Sequence, residues 1–581
     1  MKILFPFLKN YKRQCILGPF FKFTEAVFEL IVPVVMARII DVGIKNNDKS
    51  YIFKMGAIMI ALGVIGLVVA LIAQYFAAQA GFGFGTEVRN AMFRHIQSLS
   101  TSEVDKFGAP SLITRMTNDI NQLQVGVNMT IRLFLRAPFL VIGATVMAFT
   151  IDAKLALIYI IAAPVIAFII YIIMSRCVPY FKKLQKTLDK ISLKTRENLS
   201  GIRVIRAFSK QKSEIENFDE INNDYRDTAL RVGKISVLLN PLTYVVLNIA
   251  IIAIIWFGGK RVYSGNLTQG EIIALVNYMT QILLALIVVA NLVVIYMKSY
   301  ASMGRVVEVL ETSSSINDGE INAIVENTNA VVEFKNVNFA YPGSSELVLE
   351  NIDFTINKGE TIGIIGGTGS GKSTIINLLM RYYDITSGEL KLFGEDIKKY
   401  NLGVLRSKLG LVQQKAVLFS GTLRKNMQWG KQNATDEEIY KALEVAQAKE
   451  FVDLFEEKLD KRIEQKGKNL SGGQRQRLTI ARAVVSEPEL LILDDSASAL
   501  DFATDAKLRK AIYNLDKDMS VIIISQRATS IKNSDKIIVM DDGKICGIGK
   551  HDDLINSCEV YQEICNSQNN SSVESEGSSN E

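Results

Sequence analysis

The sequence predicts two fold classes in one chain: an all-α membrane domain of six helices with long cytoplasmic extensions, then an α/β domain on a largely parallel sheet. Three observations predict this. Hydrophobic residues make up 49% of the 581 positions and the mean hydropathy is positive, too apolar for an ordinary soluble protein. Uncharged apolar runs long enough for a span of about 20 helical residues all lie in the first half of the chain. Beyond them, short apolar runs alternate with helical segments, the pattern of parallel strands covered by helices.

Taken in order, the N-terminus runs Met1-Lys2-Ile3-Leu4-Phe5-Pro6 into Lys9, Lys12 and Arg13, without the cleavable apolar segment of a signal peptide. A first span near Phe20 to Ile40 carries Lys22, Glu25, Glu29 and Arg38, so hydropathy alone would miss it. Met55 to Ala80, Leu155 to Ser175, Ile235 to Gly259 and Ile272 to Met297 are clear spans, whereas Ala137 to Ile151 is short unless extended through Arg132 and Arg136. The connections are unequal. Those between the second and third spans, and between the fourth and fifth, are long, rich in charges at helical spacing and poor in Gly and Pro, so the helices should continue past the membrane. Asp152-Ala153-Lys154 is nearly a tight turn, and Lys260 to Gln269 is brief. With the basic N-terminus inside, both long segments fall on the cytoplasmic side, giving six spans with both termini inside.

Domain limits follow from composition. Residues 1–310 form the membrane domain, 311–329 a polar linker, 330–566 the soluble domain, and 567–581 a tail. Thr361 to Ile365, Leu490 to Leu493 and Val521 to Ile524 read as buried strands. The tail, with Ser571, Ser572, Glu574, Glu576, Ser578 and Ser579, holds too little apolar material to fold and is expected to be disordered. Five cysteines without CxxC spacing and only two histidines leave little for a zinc site or a histidine-based triad. A formal charge of +6 reads as cytoplasmic-side Lys and Arg near a bilayer, not as a nucleic-acid footprint.

The chemistry begins at Gly366-Gly367-Thr368-Gly369-Ser370-Gly371-Lys372-Ser373, a phosphate-loop pattern between an expected strand and helix. Its glycines let backbone N–H groups converge on phosphates at a helix N-terminus, Lys372 adds a point charge, and the Ser373 hydroxyl can ligate Mg2+. Leu470-Ser471-Gly472-Gly473-Gln474 follows, with Ser471 and Gly473 opening a helix whose positive end can face a phosphate. Together with Tyr341 in Ala340-Tyr341-Pro342, Gln414 in Val412-Gln413-Gln414-Lys415, Asp494, and Ser498-Ala499-Leu500-Asp501, these make six motifs in order. On them the chain resembles the ATP-binding-cassette transporters, specifically exporter half-transporters in which a six-helix membrane domain precedes one α/β ATP-binding cassette. The resemblance covers all but the tail.

That resemblance implies roles. Tyr341 should stack on adenine, Gly366 to Thr374 should cradle the phosphates of ATP, and Ser373, Gln414 and Asp494 should hold Mg2+ or its waters. Ser471, Gly472, Gly473 and Gln474 should face the ATP held by the opposite cassette, so each of two sites is shared between subunits. Gln413 stands where such cassettes more often have proline. Two catalytic positions also depart from the pattern: Asp495 stands where a glutamate usually positions the attacking water, and Gln526, in Ser525-Gln526-Arg527, where a histidine usually contacts the γ-phosphate. Asp495 withdraws its carboxylate by about 1.5 Å, one carbon–carbon bond, and a misplacement near 1 Å can cost about a hundredfold in rate. Gln526 can donate a hydrogen bond but carries no imidazolium charge.

The chain's own Walker site is therefore expected to bind Mg-ATP and hydrolyse it slowly or not at all. A homodimer would carry both changes in both sites, so a heterodimer is expected, resembling bacterial multidrug exporters with one degenerate and one competent site. The partner would supply glutamate and histidine, and its own signature would depart from Leu-Ser-Gly-Gly-Gln. Ser111 to Asp119 and Glu197 to Phe208 match regions that contact the cassettes, as coupling helices or beside them. Cargo is expected to be a hydrophobic or amphipathic compound, drug or lipid, exported across a bacterial plasma membrane. Glu25 and Glu29 would attract cationic compounds or, with Lys22 nearby, lie at headgroup depth or pair between helices; Asn248, Asn277, Tyr278, Gln281 and Asn291 would line the pathway or bond between helices. A slow homodimeric exporter and an ATP-gated regulatory or channel subunit are the alternatives.

Overall fold

The computed structural model describes residues 3–323, 328–496, 499–515 and 517–577, with side chains through 568. It divides into two compact units, one of residues 1–98 and 107–312, the other of 99–106 and 313–581.

The first unit is all helix. Its elements are α1 (Lys12–Arg38), α2 (Lys49–Ser98), α4 (Ala109–Ile151), α5 (Ala153–Ser200), the short α6 (Ile202–Ala207), α7 (Gln211–Tyr263) and α8 (Gln269–Glu311); the short α3 (Thr101–Phe107), between α2 and α4 in the chain, groups with the second unit through Lys106. Five of these, α2, α4, α5, α7 and α8, are long and apolar enough to cross a membrane. As its charges imply, α1 is not among them. At about 1.5 Å per residue, the 50 residues of α2 exceed a hydrocarbon core of about 30 Å more than twofold, so the long connections are indeed helical extensions. Asp152 turns the chain between α4 and α5 by accepting the N–H groups of Lys154 and Leu155, and a Thr268/Glu271 capping box starts α8.

The charged residues of α1 find partners. Lys22 pairs with Glu25, and Arg136 on α4 pairs with both Glu25 and Glu29. The pairing alternative for the two glutamates is thus the one the fold adopts. Tyr278 donates to the Leu30 carbonyl at 2.5 Å and Gln281 to that of Glu29 at 3.3 Å, so these polar residues also bond between helices. Asn277 caps within its own helix, on the carbonyl of Ile273.

Of the two segments read as cassette-contacting, Ser111 to Asp119 lies inside the start of α4, whose Arg115–Asp119 turn is π-helical. The separate short helix is α3, just before it, and residues 99–106 group with the second unit. There Asp105 accepts the Tyr383 hydroxyl at 2.7 Å. Glu197 to Phe208 spans a break at Gly201 and contains α6, with Val204 and Phe208 exposed.

The second unit holds twelve strands among its described residues: β1 (Ala330–Phe339), β2 (Leu349–Asn357), β3 (Thr361–Gly366), β4 (Ser387–Leu392), β5 (Glu395–Asp396), β6 (Leu409–Val412), β7 (Gly421–Thr422), β8 (Arg462–Ile463), β9 (Leu490–Asp494), β10 (Ser520–Ile524), β11 (Lys536–Asp541) and β12 (Lys544–Gly549). Six form one sheet in the order β12-β11-β3-β10-β9-β6, parallel except at β12. Strands β3, β9 and β10 are nearly continuous buried apolar runs, as a sheet covered on both faces requires. An antiparallel sheet, β2-β1-β4-β5, lies apart, and β7 pairs with β8.

Two segments are more ordered than their composition implies. The linker is polar, yet Gly319 and Ile321 donate to the carbonyls of Tyr400 and Lys399, and Asn401 donates back to Ile321. Any residue can make such backbone bonds, and Gly319 is required because a Cβ there would meet the Lys399 carbonyl oxygen at 2.0 Å. Over residues 567–577, expected to be disordered, the chain continues the helix α9 (Glu559–Gly577), whose first turns bury Tyr561 and Cys565. Residues 578–581 lie outside the described residues.

Candidate functional site

The parallel sheet gathers the site on one edge. Ile524 pairs with both Ile364 and Asp494, and Val412 pairs with Leu493, so β3, β6, β9 and β10 end level with one another. The loops that follow carry the phosphate loop, Gln414, Asp495 and Gln526 respectively. Ligands of open parallel sheets bind at this carboxyl edge.

The phosphate loop leaves β3 at Gly366 and enters the helix Lys372–Leu379. Gly369 and Gly371 have φ of 87° and 95°, a region favouring glycine. Lys372 is buried and its ammonium donates to the Gly366 carbonyl at 2.8 Å, to Ser370 Oγ at 3.1 Å, and to the Gly367 carbonyl. Burial pulls it below the usual lysine range, against the pull of Asp494 and Asp495. Ser373 is exposed at the start of the helix, while Thr374 is buried and its hydroxyl lies 3.2 Å from that of Tyr341. Asn377, unanticipated from the sequence, donates to the same Tyr341 hydroxyl at 3.1 Å. The Tyr341 ring stands edge-on to Phe339 and Tyr383.

At the other side of the edge, burial first and the neighbouring Asp495 second raise the Asp494 carboxyl above the usual carboxylate range. Asp495 is raised by burial, opposed by a hydrogen bond from Gln414. That bond, Gln414 Nε2 to Asp495 Oδ2, is 3.3 Å long, so two separate motifs meet. Asp495 has φ 43°, a left-handed conformation that Asp tolerates better than most residues. Its N–H is fixed on the Ile524 carbonyl at 2.8 Å. The donors Ser373, Gln414 and Asp494 are all oxygen-bearing, and two carboxyls held side by side in a partly buried place favour a cation. This set fits Mg2+ and its waters.

Gln526 follows buried Ser525, whose N–H donates to Ile364 at 3.1 Å. Gln526 is exposed, and its carbonyl accepts from Gln568 of α9 at 2.7 Å. No local spacing signals a pair of residues so distant in the chain.

The signature opens the helix Gly472–Val484 through a capping box: Ser471 Oγ accepts the Gln474 N–H at 3.2 Å, and the Gln474 side chain accepts the Ser471 N–H at 2.9 Å. A Cβ at Gly472 would meet nothing within 4 Å, so the backbone there is open to an incoming group. Among the described residues, no hydrogen bond joins this segment to the phosphate loop. Gln476, a residue not singled out in the sequence, donates to the Gln413 carbonyl at 3.4 Å and ties this helix to the Gln414 loop. Asp501 caps the helix Phe502–Tyr513 on Thr504. Ser498 of the last motif lies outside the described residues.

Comparison with known proteins agrees with this division. A family model for the ABC transporter transmembrane region matches residues 15–312, and one for the ABC transporter matches residues 349–498. An ABC transporter ATP-binding protein of Mycobacterium tuberculosis is 37% identical over 97% of both chains. A putative multidrug export ATP-binding/permease protein of Bacillus subtilis is 32% identical over 98% of this chain and 99% of its own. An ATP-dependent lipid A-core flippase of Vibrio vulnificus is 28% identical over 97% of this chain and 96% of its own.

Proposed function

This chain belongs to the ABC transporters, as an exporter half-transporter, and on that premise we propose that its own Walker site retains Mg-ATP with poor hydrolysis, inside a heterodimer whose other site is competent. Its ATP-binding domain couples hydrolysis to transport, and the apolar helices make it a multi-pass membrane protein. One observation carries the finer reading. Asp495 and Gln526 occupy the ends of adjacent strands β9 and β10, beside a complete phosphate loop on β3.

In this reading Tyr341 meets the adenine, and the backbone of Gly366 to Thr374 with Lys372 holds the phosphates. Magnesium, held by Ser373 and Asp494 with Gln414 beside it, would neutralise charge on the β- and γ-phosphates. Asp495 then lies too far back to align the attacking water, and Gln526 offers the γ-phosphate a neutral donor. Ser471, Gly472, Gly473 and Gln474 complete the partner's site, where the partner's own glutamate and histidine act. ATP joins the two cassettes, the short cytoplasmic helices follow, and the cavity turns outward. Both termini and the ATP-binding domain are cytoplasmic, at a bacterial plasma membrane. Cargo is hydrophobic or amphipathic, drug-like or lipid. The names of two relatives, one a putative multidrug exporter and one a lipid flippase, support that class.

A slow homodimeric exporter is the second reading. The raised Asp495 carboxyl favours it, because a higher pKa makes a better general base near neutral pH. Purification of the chain alone, and of the chain with the half-transporter it assembles with, separates the two by Mg-ATP hydrolysis in lipid. The heterodimer reading expects turnover only in the mixed complex. Equal turnover per chain from the protein alone overturns it.

A further inference from the structure

The C-terminal helix packs one face against the loop that carries Gln526. Tyr561, Cys565 and Gln568 recur at helical spacing and so share one face of α9. Tyr561 and Cys565 are buried in a cluster with Ile365, Ala528 and Ile531, which joins the last strand residue before the phosphate loop to the short helix after Gln526. Gln568 continues that face with polar contacts. Its Oε1 accepts the Ala528 N–H at 2.9 Å, and its Nε2 donates to the Gln526 carbonyl at 2.7 Å. The helix Ala528–Ile531 has no side-chain cap of its own, so Gln568 supplies one from forty residues away.

The other side of this loop is pinned as well. Ser525 bonds to Ile364 of β3, and the Ile524 carbonyl accepts the Asp495 N–H. The Arg527 N–H is held by Ser525 Oγ at 2.9 Å. Gln526 therefore sits between a sheet that is fixed and the C-terminal helix, whose Gln568 amide holds its carbonyl.

We infer that Gln568 is a positioning residue for the ATP site: by holding the backbone on both sides of Arg527, it fixes where the Gln526 side chain can meet a γ-phosphate. This rests on the reading of Gln526 as the γ-phosphate contact. Freed of Gln568, the loop gains backbone freedom, and a contact that needs fixed geometry loses strength. ADP lacks the γ-phosphate, so its binding is indifferent to this loop. Discrimination between the two nucleotides is a property that a merely structural role would not move.

The test uses the full-length chain in lipid, with Mg2+, and titrations of ATP and of ADP. Gln568→Leu is expected to weaken ATP binding about tenfold, the scale of one hydrogen bond to a charged group, with ADP affinity unchanged. Gln568→Glu keeps the acceptor for Ala528 but loses the donor to Gln526, and is expected to fall between. Gln526→Ala should lower the same ratio, and combining it with Gln568→Leu should add nothing further. Amide hydrogen exchange of the peptide 525–531 is read in parallel and should speed up in Gln568→Leu, with the rest of the sheet unchanged. If Gln526→Ala lowers the ratio and Gln568→Leu does not, the positioning role is overturned. If exchange at 525–531 is also unaltered by Gln568→Leu, the clamp itself is overturned. If Gln526→Ala leaves the ratio intact while Gln568→Leu speeds exchange, the clamp stands and the γ-phosphate reading of Gln526 fails.

Discussion

The two sides of the sheet edge differ in kind. After β3, the phosphate loop has every group that binding needs: glycines in left-handed conformations, a buried lysine and an exposed hydroxyl at a helix start. After β9 and β10, the geometry is equally well held, with Asp495 bonded to Ile524 and to Gln414 and Gln526 bonded to Gln568. In the proposed reading only the chemistry at the tips differs: the backbone of the edge is kept, nucleotide binding depends on the loop, and hydrolysis depends on the tips.

The largest effect should come from restoring the tips. Asp495→Glu combined with Gln526→His should raise turnover by the chain alone about a hundredfold or more, the cost attached to a misplacement near 1 Å, measured as phosphate release in lipid. A smaller gain would mean that the left-handed backbone at Asp495 holds a glutamate in the wrong place.

Next in size is the loop side. Lys372→Ala removes a charge-assisted donor worth about 1.5–3 kcal/mol, so ATP affinity should fall roughly ten- to a hundredfold, as read by titration. In the proposed heterodimer Ser471→Ala acts on the other site, deleting a helix cap worth about 1 kcal/mol and the hydroxyl that would face the partner's ATP. Hydrolysis by the mixed complex should collapse, while ATP held at this chain's own Walker site stays bound.

The smallest effect concerns the carboxyl pair. Asp494 is raised by burial and by Asp495, so the folded chain without nucleotide takes up protons more readily than the unfolded one. This contributes stability below the unfolded carboxylate pKa, and it is lost as pH rises through the raised folded value. At neutral pH the charged pair therefore costs stability. Asp494→Asn should raise the thermal midpoint of the nucleotide-free protein, by about 2–4 °C for each kcal/mol relieved, while abolishing the Mg2+ dependence of ATP binding. For the native chain, Mg-ATP affinity should begin to fall at a higher pH than an ordinary aspartate would allow.

Much of this was legible in the sequence because the signals were periodic or contiguous. The five long apolar helices followed from apolar runs and from charges at helical spacing, and β3, β9 and β10 from short buried runs ending at the motifs. The charged α1 was legible only through topology, since Lys22, Glu25 and Glu29 hide it from hydropathy and Arg136, the partner of both glutamates, lies over a hundred residues away. The linker's order escaped because backbone bonds such as Gly319 to Tyr400 leave no trace in composition. The helical course of α9 escaped because two buried side chains, Tyr561 and Cys565, anchor a segment whose polar remainder dominates any average. The Gln414–Asp495 bond joins two motifs each visible alone, but a pairing 81 residues apart is a property of strand order, not of spacing.

The decisive measurement is the fate of the nucleotide at this chain's own site. The purified native chain in lipid is loaded with Mg2+ and γ-labelled ATP, freed of excess, and its bound nucleotide followed over time. A retaining site should hold one intact ATP per chain over many minutes, with no labelled phosphate released. Conversion of the bound ATP to ADP at about 1 s⁻¹ or faster, within the ordinary range of enzymes, would contradict it and make Asp495 and Gln526 competent as they stand.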